Sequence, residues 1–259
     1  MSERSFSQGQ PIVVAHRGAS LAEPENTLPA FEAAIAARAD AVEFDVRLTG
    51  DGVPVVLHDA GVERMTDGRG LVRDLTAARL ARLAIATRGG GTTRVPTLEA
   101  TLLALSGRIG IDIELKQLPG EADFEPEGDR LVEATLRALD AAAFVGPVLV
   151  SSFNPLAIAA VRRFAPDVPT GLLTDPSVDA DVALGFARDE GHAWVLPPVV
   201  RVVGAGEGFA RRVHEAGLRV ATWNTDDPAE ALVLMRSGVD AVATNDPAAI
   251  VAARAGRAV

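Results

Sequence analysis

The sequence predicts an α/β protein, a single (β/α)8 barrel with a small insertion after the second strand. Three observations carry this expectation. Short β-branched runs alternate with alanine-rich stretches, the pattern of parallel strands joined by crossover helices. Eight such units fit into 259 residues, about the length at which an eight-stranded barrel closes. The units share a rhythm but no repeated sequence, which argues against a solenoid.

The eight strands are expected at residues 12–15, 41–46, 109–115, 148–151, 170–173, 193–196, 219–222 and 241–243. Capping chemistry marks the helices between them. Asn26-Thr27 with Pro29, Thr97 with Glu99, Asn154-Pro155 and Asp227-Pro228 each set a side-chain acceptor before a first helical turn. A ninth strand, residues 53–57, follows the turn Gly50-Asp51-Gly52 and should return antiparallel beside the second. Residues 60–95 form a polar, glycine-containing insertion expected to overhang the barrel mouth, with Gly89-Gly90-Gly91 as a flexible hinge. Residues 117–128, with two prolines, read as a surface loop, and the acidic run 121–129 as solvated. One domain spanning residues 1–259 accounts for the whole pattern.

Composition narrows the function classes. A formal charge of -10 with no basic stripe disfavours nucleic acid and anionic membrane surfaces as partners. The absence of cysteine removes disulfides, thiolate metal sites and thiol nucleophiles. The first ten residues are polar, unlike a signal peptide, and no apolar run reaches the ~20 residues of a bilayer span. A cytoplasmic protein with no stable membrane insertion is expected; nothing in the sequence fixes an oligomeric state.

The chemistry concentrates at strand ends. The first strand leads into His16-Arg17-Gly18, the second reads Glu43-Phe44-Asp45, the returning strand ends in His58-Asp59, and the third reads Asp112-Ile113-Glu114-Leu115-Lys116. Strand side chains alternate faces, so Glu43 and Asp45 share one face and Asp112, Glu114 and Lys116 another, both able to converge in the mouth. Crowded carboxylates need neutralising, and oxygen ligation by Glu43, Asp45 and Glu114 suits one hard divalent ion, Mg²⁺ or Ca²⁺. Two of the four histidines, His16 and His58, flank that group and can serve as general acid and base. His192 and His214 carry no such signal. Arginine outnumbers lysine 24 to 1, and the single lysine is Lys116, a compact charge suited to a phosphate oxygen or a metal-bound carboxylate. Trp223 suits either a substrate wall or the core, and Phe153 the core.

These motifs together resemble the glycerophosphodiester phosphodiesterase family. His-Arg-Gly, Pro-Glu-Asn-Thr, Glu-x-Asp-Val, Thr-x-Asp-Gly, His-Asp and Glu-x-Lys occur in family order, and the likeness runs over residues 16–247. The resemblance implies metal-dependent hydrolysis of small glycerophosphodiesters to sn-glycerol 3-phosphate and an alcohol. It implies Glu43, Asp45 and Glu114 as metal ligands and His16 and His58 as the acid/base pair. Arg17, Lys116 and Trp223 become substrate contacts, with Glu25, Asn26 and Asp59 supporting the site from behind. Water attack and attack by the glycerol 2-hydroxyl, through a cyclic phosphate, both remain open. Three stretches depart from the family pattern: Arg38-Ala39-Asp40, Trp223-Asn224-Thr225-Asp226 and Thr244-Asn245-Asp246. None of them is expected to touch the metal or the histidines.

Two rivals stand beside this expectation. A lysophospholipase D or sphingomyelinase D-like enzyme would expose an apolar patch on the insertion, where the sequence instead carries arginines and glycines. A catalytically silent phosphodiester-binding barrel would be expected to have lost one of the five key side chains, and all five are present.

Overall fold

The computed structural model describes Phe6, residues 9–124 and residues 129–256. In chain order the strands are β1 (Ile12–His16), β2 (Ala41–Leu48), β3 (Pro54–Val56), β4 (Ile85–Ala86), β5 (Thr92–Thr93), β6 (Gly110–Leu115), β7 (Val148–Ser152), β8 (Thr170–Leu173), β9 (Trp194–Leu196), β10 (Arg219–Thr222) and β11 (Ala241–Thr244). The helices are α1 (Leu28–Ala36), α2 (Ala77–Leu80), α3 (Leu98–Leu105), α4 (Asp129–Ala141), α5 (Pro155–Phe164), α6 (Ala180–Asp189), α7 (Val199–Gly204), α8 (Phe209–Glu215), α9 (Pro228–Arg236) and α10 (Pro247–Arg254). Strands β1, β2 and β6 to β11 run parallel, and the β1–β2 and β1–β11 pairings close them into a barrel. All eight expected strands are present, and β3 pairs antiparallel with β2 as its turn requires. The four sequence-marked caps form, with Thr27, Thr97, Asn154 and Asp227 each accepting from a backbone N–H of the first turn.

Alternation along the strands sorts the core into layers. Val13, Val42, Phe44, Val46, Ile111 and Ile113 pack outward against helices, while Ile12, Val14 and Ala41 join the barrel-interior cluster with Leu149, Trp194 and Leu196. Residues of the inward parity therefore become acidic toward the carboxyl ends of β2 and β6. Parallel pairing sets Glu43 beside Asp112 and Asp45 beside Glu114, and places His16 beside Glu43. The functional groups share the end of the barrel where such folds carry their chemistry.

The segment 60–95 differs from its sequence expectation. Val62, Val72, Leu80 and Ile85 bury themselves with Val55, Leu57 and Val95 in a small core of their own. Apolar side chains spaced this irregularly give no helix or strand period, so the cluster leaves little trace in the sequence. The three glycines at 89–91 form the turn of the β4–β5 hairpin, with Gly90 at φ 81°, and are not a free hinge. His192 is buried and bonds Thr170 at 2.9 Å, and His214 bonds Asp240 at 2.8 Å; both are structural.

The acidic run also differs. Residues 125–128 lie outside the described residues, but Glu121 and Asp123 are not solvated charges. Arg47, 1% exposed, donates to both Asp123 oxygens at 2.7 and 2.6 Å and to Glu121 at 2.9 Å. Its Nε donates to the His58 carbonyl at 2.7 Å. The buried guanidinium thus ties the loop after β6 to the segment that carries His58. Removing one partner strands the other as an uncompensated buried charge, so Arg47→Met should cost about 3–5 kcal/mol in urea unfolding. Asp123→Asn should be milder, and the double variant should lose clearly less than the sum of the two, since the pair shares one interaction.

Candidate active site

The site begins with a tight turn after β1. Gly18 has φ 83°, and a Cβ there would lie 2.7 Å from the Ala30 backbone, so the glycine of His-Arg-Gly is fixed by conformation and by close approach to α1. Arg17 and Asn26 also lie in the left-handed region, at φ 58° and 59°, a conformation that costs a residue with a Cβ. Each is held there by the carboxylates. The Arg17 backbone N–H donates to Glu43 Oε2 at 2.8 Å, and Asn26 both donates to Asp45 Oδ2 at 2.7 Å and accepts from the Asp45 N–H at 3.2 Å. Arg17 also lies against Asp45, Nε to Oδ2 at 3.2 Å, and donates to Glu25 at 3.1 Å.

Glu43, Asp45 and Glu114 meet as the sequence requires. One carboxylate oxygen from each lies within 4.8 Å of the others, and all three residues are buried. Lys116 Nζ donates to Glu114 Oε1 at 2.8 Å and stands 3.7 Å from Asp45 Oδ1. Glu43 Oε1 and Asp45 Oδ1 are nevertheless buried with no hydrogen-bond partner. Burial, reinforced by the neighbouring acids, drives Glu43 well above the carboxylate range and Glu114 up to about 7. Burial also lifts Asp112, which accepts from Ser151 at 2.8 Å, to about 7. Against its own burial, Asp45 is held below its ordinary value by Lys116, Arg17 and His58. Orphaned oxygens on crowded acids, all hard donors, fit a divalent cation.

The two histidines are anchored differently. His58 Nδ1 bonds Asp59 Oδ1 at 2.6 Å, and Arg64, from the segment 60–95, clamps Asp59 at 2.5 and 3.0 Å while reaching Glu25 at 2.7 Å. His16 Nδ1 bonds Asn245 Oδ1 at 2.8 Å. The Asn245 amide nitrogen is committed to Asp226 at 2.9 Å, so its oxygen faces His16 as an acceptor and His16 carries its proton on Nδ1. Asp59, as a carboxylate, imposes the same tautomer on His58. Both rings then turn a bare Nε2 to the site. Burial lowers both histidines from their ordinary value; Arg17 adds to this at His16, and Lys116 with Arg17 at His58. Asn245 therefore corrects one expectation, since the departure in the last strand does touch a histidine.

A cavity of about 240 Å³ opens over these groups. Its lining combines His16, Arg17, Glu43, His58, Glu114 and Lys116 with the apolar Val14, Leu173, Leu196 and Trp223. Trp223 spends its indole N–H on the Leu196 carbonyl at 2.9 Å and meets Phe153 edge-on at 5.4 Å, so both present apolar surface. Phe153 is thus a cavity wall and not plain core. Glu25, Asn26 and Asp59 stand behind the lining, as expected. No described residue of 60–95 lines the cavity; that segment acts on the mouth through Arg64. The departure at Arg38-Ala39-Asp40 lies at the opposite end, where Asp40 accepts from the Val13 N–H and pairs with Arg254. Arg47, Arg64, Ser151 and the roles of Asp226 and Asn245 escaped sequence reasoning, whereas Asp112 lines the mouth as its strand parity implied. Arg64 and Asn245 each sit within six residues of a recognised motif, which was the available signal.

Comparison with known proteins agrees with the geometry. The family model described as the glycerophosphoryl diester phosphodiesterase family matches residues 16–249. The chain is 30% identical to a glycerophosphodiester phosphodiesterase of Caldanaerobacter subterraneus over 250 residues, covering 93% of this chain and 96% of that protein. It superposes on an Oleispira antarctica phosphodiesterase, solved with the product sn-glycerol-3-phosphate, with TM-score 0.81 and 29% identity over 94% of this chain and 96% of that one. A glycerophosphodiester phosphodiesterase of Thermotoga maritima gives TM-score 0.73 and 26% identity over 93% and 97%. With its motifs, barrel and acidic mouth in register, the chain belongs to the glycerophosphoryl diester phosphodiesterase family and is a phosphoric diester hydrolase.

Proposed function

We propose that this chain hydrolyses glycerophosphodiesters to sn-glycerol 3-phosphate and an alcohol, with one divalent ion held by Glu43, Asp45 and Glu114. The observation that carries this is the pair of partnerless buried oxygens on Glu43 and Asp45, set between two histidines whose Nε2 atoms are bare. A divalent ion bound there polarises a phosphoryl oxygen and offsets the charge that grows in the transition state. Arg17 and Lys116 border the same wall and place further positive charge toward the phosphate. The histidines move the protons. One Nε2 takes the proton of the attacking hydroxyl as its oxygen bonds phosphorus, and the other gives a proton to the alcohol oxygen as its bond to phosphorus breaks.

The hydrogen bonds behind the rings divide these tasks. Asp59, a carboxylate, stabilises a charged His58, whereas Asn245 offers His16 a neutral acceptor. Burial lowers the pKa of both rings, but His58 has a carboxylate on Nδ1 to offset part of this, so His58 is the group better able to take a second proton on Nε2 and serve as acid, and His16 the group suited to accept. His16→Ala and His58→Ala should each lower turnover of glycerophosphocholine by roughly 10² to 10⁴-fold. With a p-nitrophenyl diester, whose leaving group needs no proton, the His58→Ala deficit should shrink sharply while that of His16→Ala persists. The opposite pattern would exchange the two roles.

Glu114→Gln should weaken the metal dependence first, moving the divalent-ion titration of activity to concentrations at least tenfold higher. An unchanged titration would remove Glu114 from the ligand set. Asn245→Leu should lower kcat at least tenfold with little effect on KM, because it frees the His16 ring to rotate and change tautomer. Asn245→Asp keeps an acceptor for His16 Nδ1 but sets a second carboxylate against Asp226 and gives His16 the same kind of anchor as His58, so it should preserve the tautomer without preserving full activity. With four histidines in the chain, ¹⁵N spectra of the imidazoles can report the His16 tautomer in each variant directly.

A further inference from the structure

The Arg64 side chain is 46% exposed and has no part in the cavity lining, yet it stands in the middle of a chain of alternating charges that runs from Asp59 to Asp45. Its planar fork spends Nε on Asp59 Oδ2 at 2.5 Å and Nη2 on Asp59 Oδ1 at 3.0 Å, and the same Nη2 reaches Glu25 Oε1 at 2.7 Å. Glu25 Oε1 accepts in turn from Arg17 at 3.1 Å, and Arg17 lies 3.2 Å from Asp45. Asp59 Oδ1 is also the oxygen that His58 Nδ1 meets at 2.6 Å, so ring and guanidinium share one acceptor. A bidentate grip fixes the plane of a carboxylate as well as its distance. The Arg64 hydrogen bonds also hold Asp59 well below the usual carboxylate range, which keeps it an acceptor.

We propose that Arg64 is a positioning residue for the reaction and acts through His58: by gripping both Asp59 oxygens it aims the carboxylate that orients the imidazole and fixes its tautomer. This rests on the phosphodiester hydrolysis proposed above, but not on which histidine is the acid. Three observations single out the His58 ring as the group served. Arg17 keeps its own holds without Arg64, since its backbone N–H donates to Glu43 at 2.8 Å and its Nε lies against Asp45. The His58 backbone is fixed from elsewhere, its carbonyl accepting from Arg47 at 2.7 Å. The His58 ring, by contrast, hydrogen-bonds only Asp59 among the described residues, and Asp59 is bonded only by that ring and by Arg64. Arg64 itself is seated firmly, because Val62 is buried in the small core of the segment and the Val62 carbonyl accepts from the Thr66 N–H at 3.0 Å and hydroxyl at 2.8 Å. The segment 60–95 thus reaches the chemistry without lining the cavity.

Arg64→Met removes the fork and keeps an unbranched apolar stem. It should lower kcat for glycerophosphocholine roughly 10 to 100-fold, the usual range for a lost outer hydrogen bond, with KM changed less than about threefold. Added to His58→Ala it should cost nothing further, because two residues that act through one ring are not additive. Its deficit should also follow that of His58→Ala when a p-nitrophenyl diester replaces glycerophosphocholine, whichever way the His58→Ala deficit moves. In ¹⁵N spectra the His58 imidazole should shift from the Nδ1-protonated tautomer toward a mixture, while His16 keeps its signals. Arg64→Lys restores the charge without the fork and should recover only part of kcat and of the tautomer. A kcat within threefold of the parent chain, a further loss in the double variant, an unmoved His58 tautomer, or full recovery with lysine would each overturn the proposal. If glycerophosphocholine is not cleaved with any divalent ion, the phosphodiesterase reading fails by itself, and the imidazole spectra still decide whether Arg64 sets His58.

Discussion

Three carboxylates forced into one buried space are the constraint around which the mouth is built. Parallel pairing of β2 with β6 sets Asp45 beside Glu114, and closure of β1 on β2 adds His16 beside Glu43. Within such a low-dielectric site like charges cannot all remain ionised without compensation, and Glu43 and Glu114 shift toward protonation accordingly. Lys116 and Arg17 neutralise Asp45 but leave Glu43 Oε1 and Asp45 Oδ1 without a hydrogen bond. A fully compensated salt-bridge network would have satisfied those oxygens. The deficit is what the proposed cation would make good.

The same constraint explains where backbone strain is kept. Arg17 and Asn26 occupy left-handed conformations, and each is fixed by hydrogen bonds to one of the clustered acids, Glu43 or Asp45. Strain of order 1–3 kcal/mol per residue persists only where surroundings over-determine it. Here the barrel does so, since Glu43 and Asp45 are immobilised in a central strand whose neighbours on both sides are paired. The turn residues are therefore held by the acids, and the acids by the sheet.

Periodicity and caps made the barrel legible, and inward parity made the acids legible, because both are local properties of a strand or a helix start. What escaped notice depends on separations that no window spans. Asn245 meets His16 across 229 residues, and Arg47 meets Asp123 across 76. Arg47 occupies the inward parity of β2 in line with Glu43 and Asp45, so it extends the acidic face into a buried charge pair. The segment 60–95 read as polar because its apolar side chains follow no regular period, yet it closes on a core of its own. The apolar part of the cavity lining gave no sequence signal for a related reason: it is assembled from single residues on β8, β9 and just past the ends of β7 and β10.

The anchoring of the histidines shows why the segment after β3 and the last strand both matter to one reaction. His58 is held through Asp59 by Arg64, and Arg64 in turn shares Glu25 with Arg17, so the Arg17 guanidinium and the His58 imidazole are tied to one exposed arginine. His16 is held through Asn245 by Asp226, which also accepts from Thr244 at 2.9 Å and so locks the end of β11. A charged relay on one side and a neutral amide on the other give two imidazoles of the same tautomer but unequal capacity for positive charge. Two identical anchors would leave both rings equally disposed to give or take a proton. The reaction proposed here, with one proton removed and another delivered across the same phosphorus, would draw on that asymmetry.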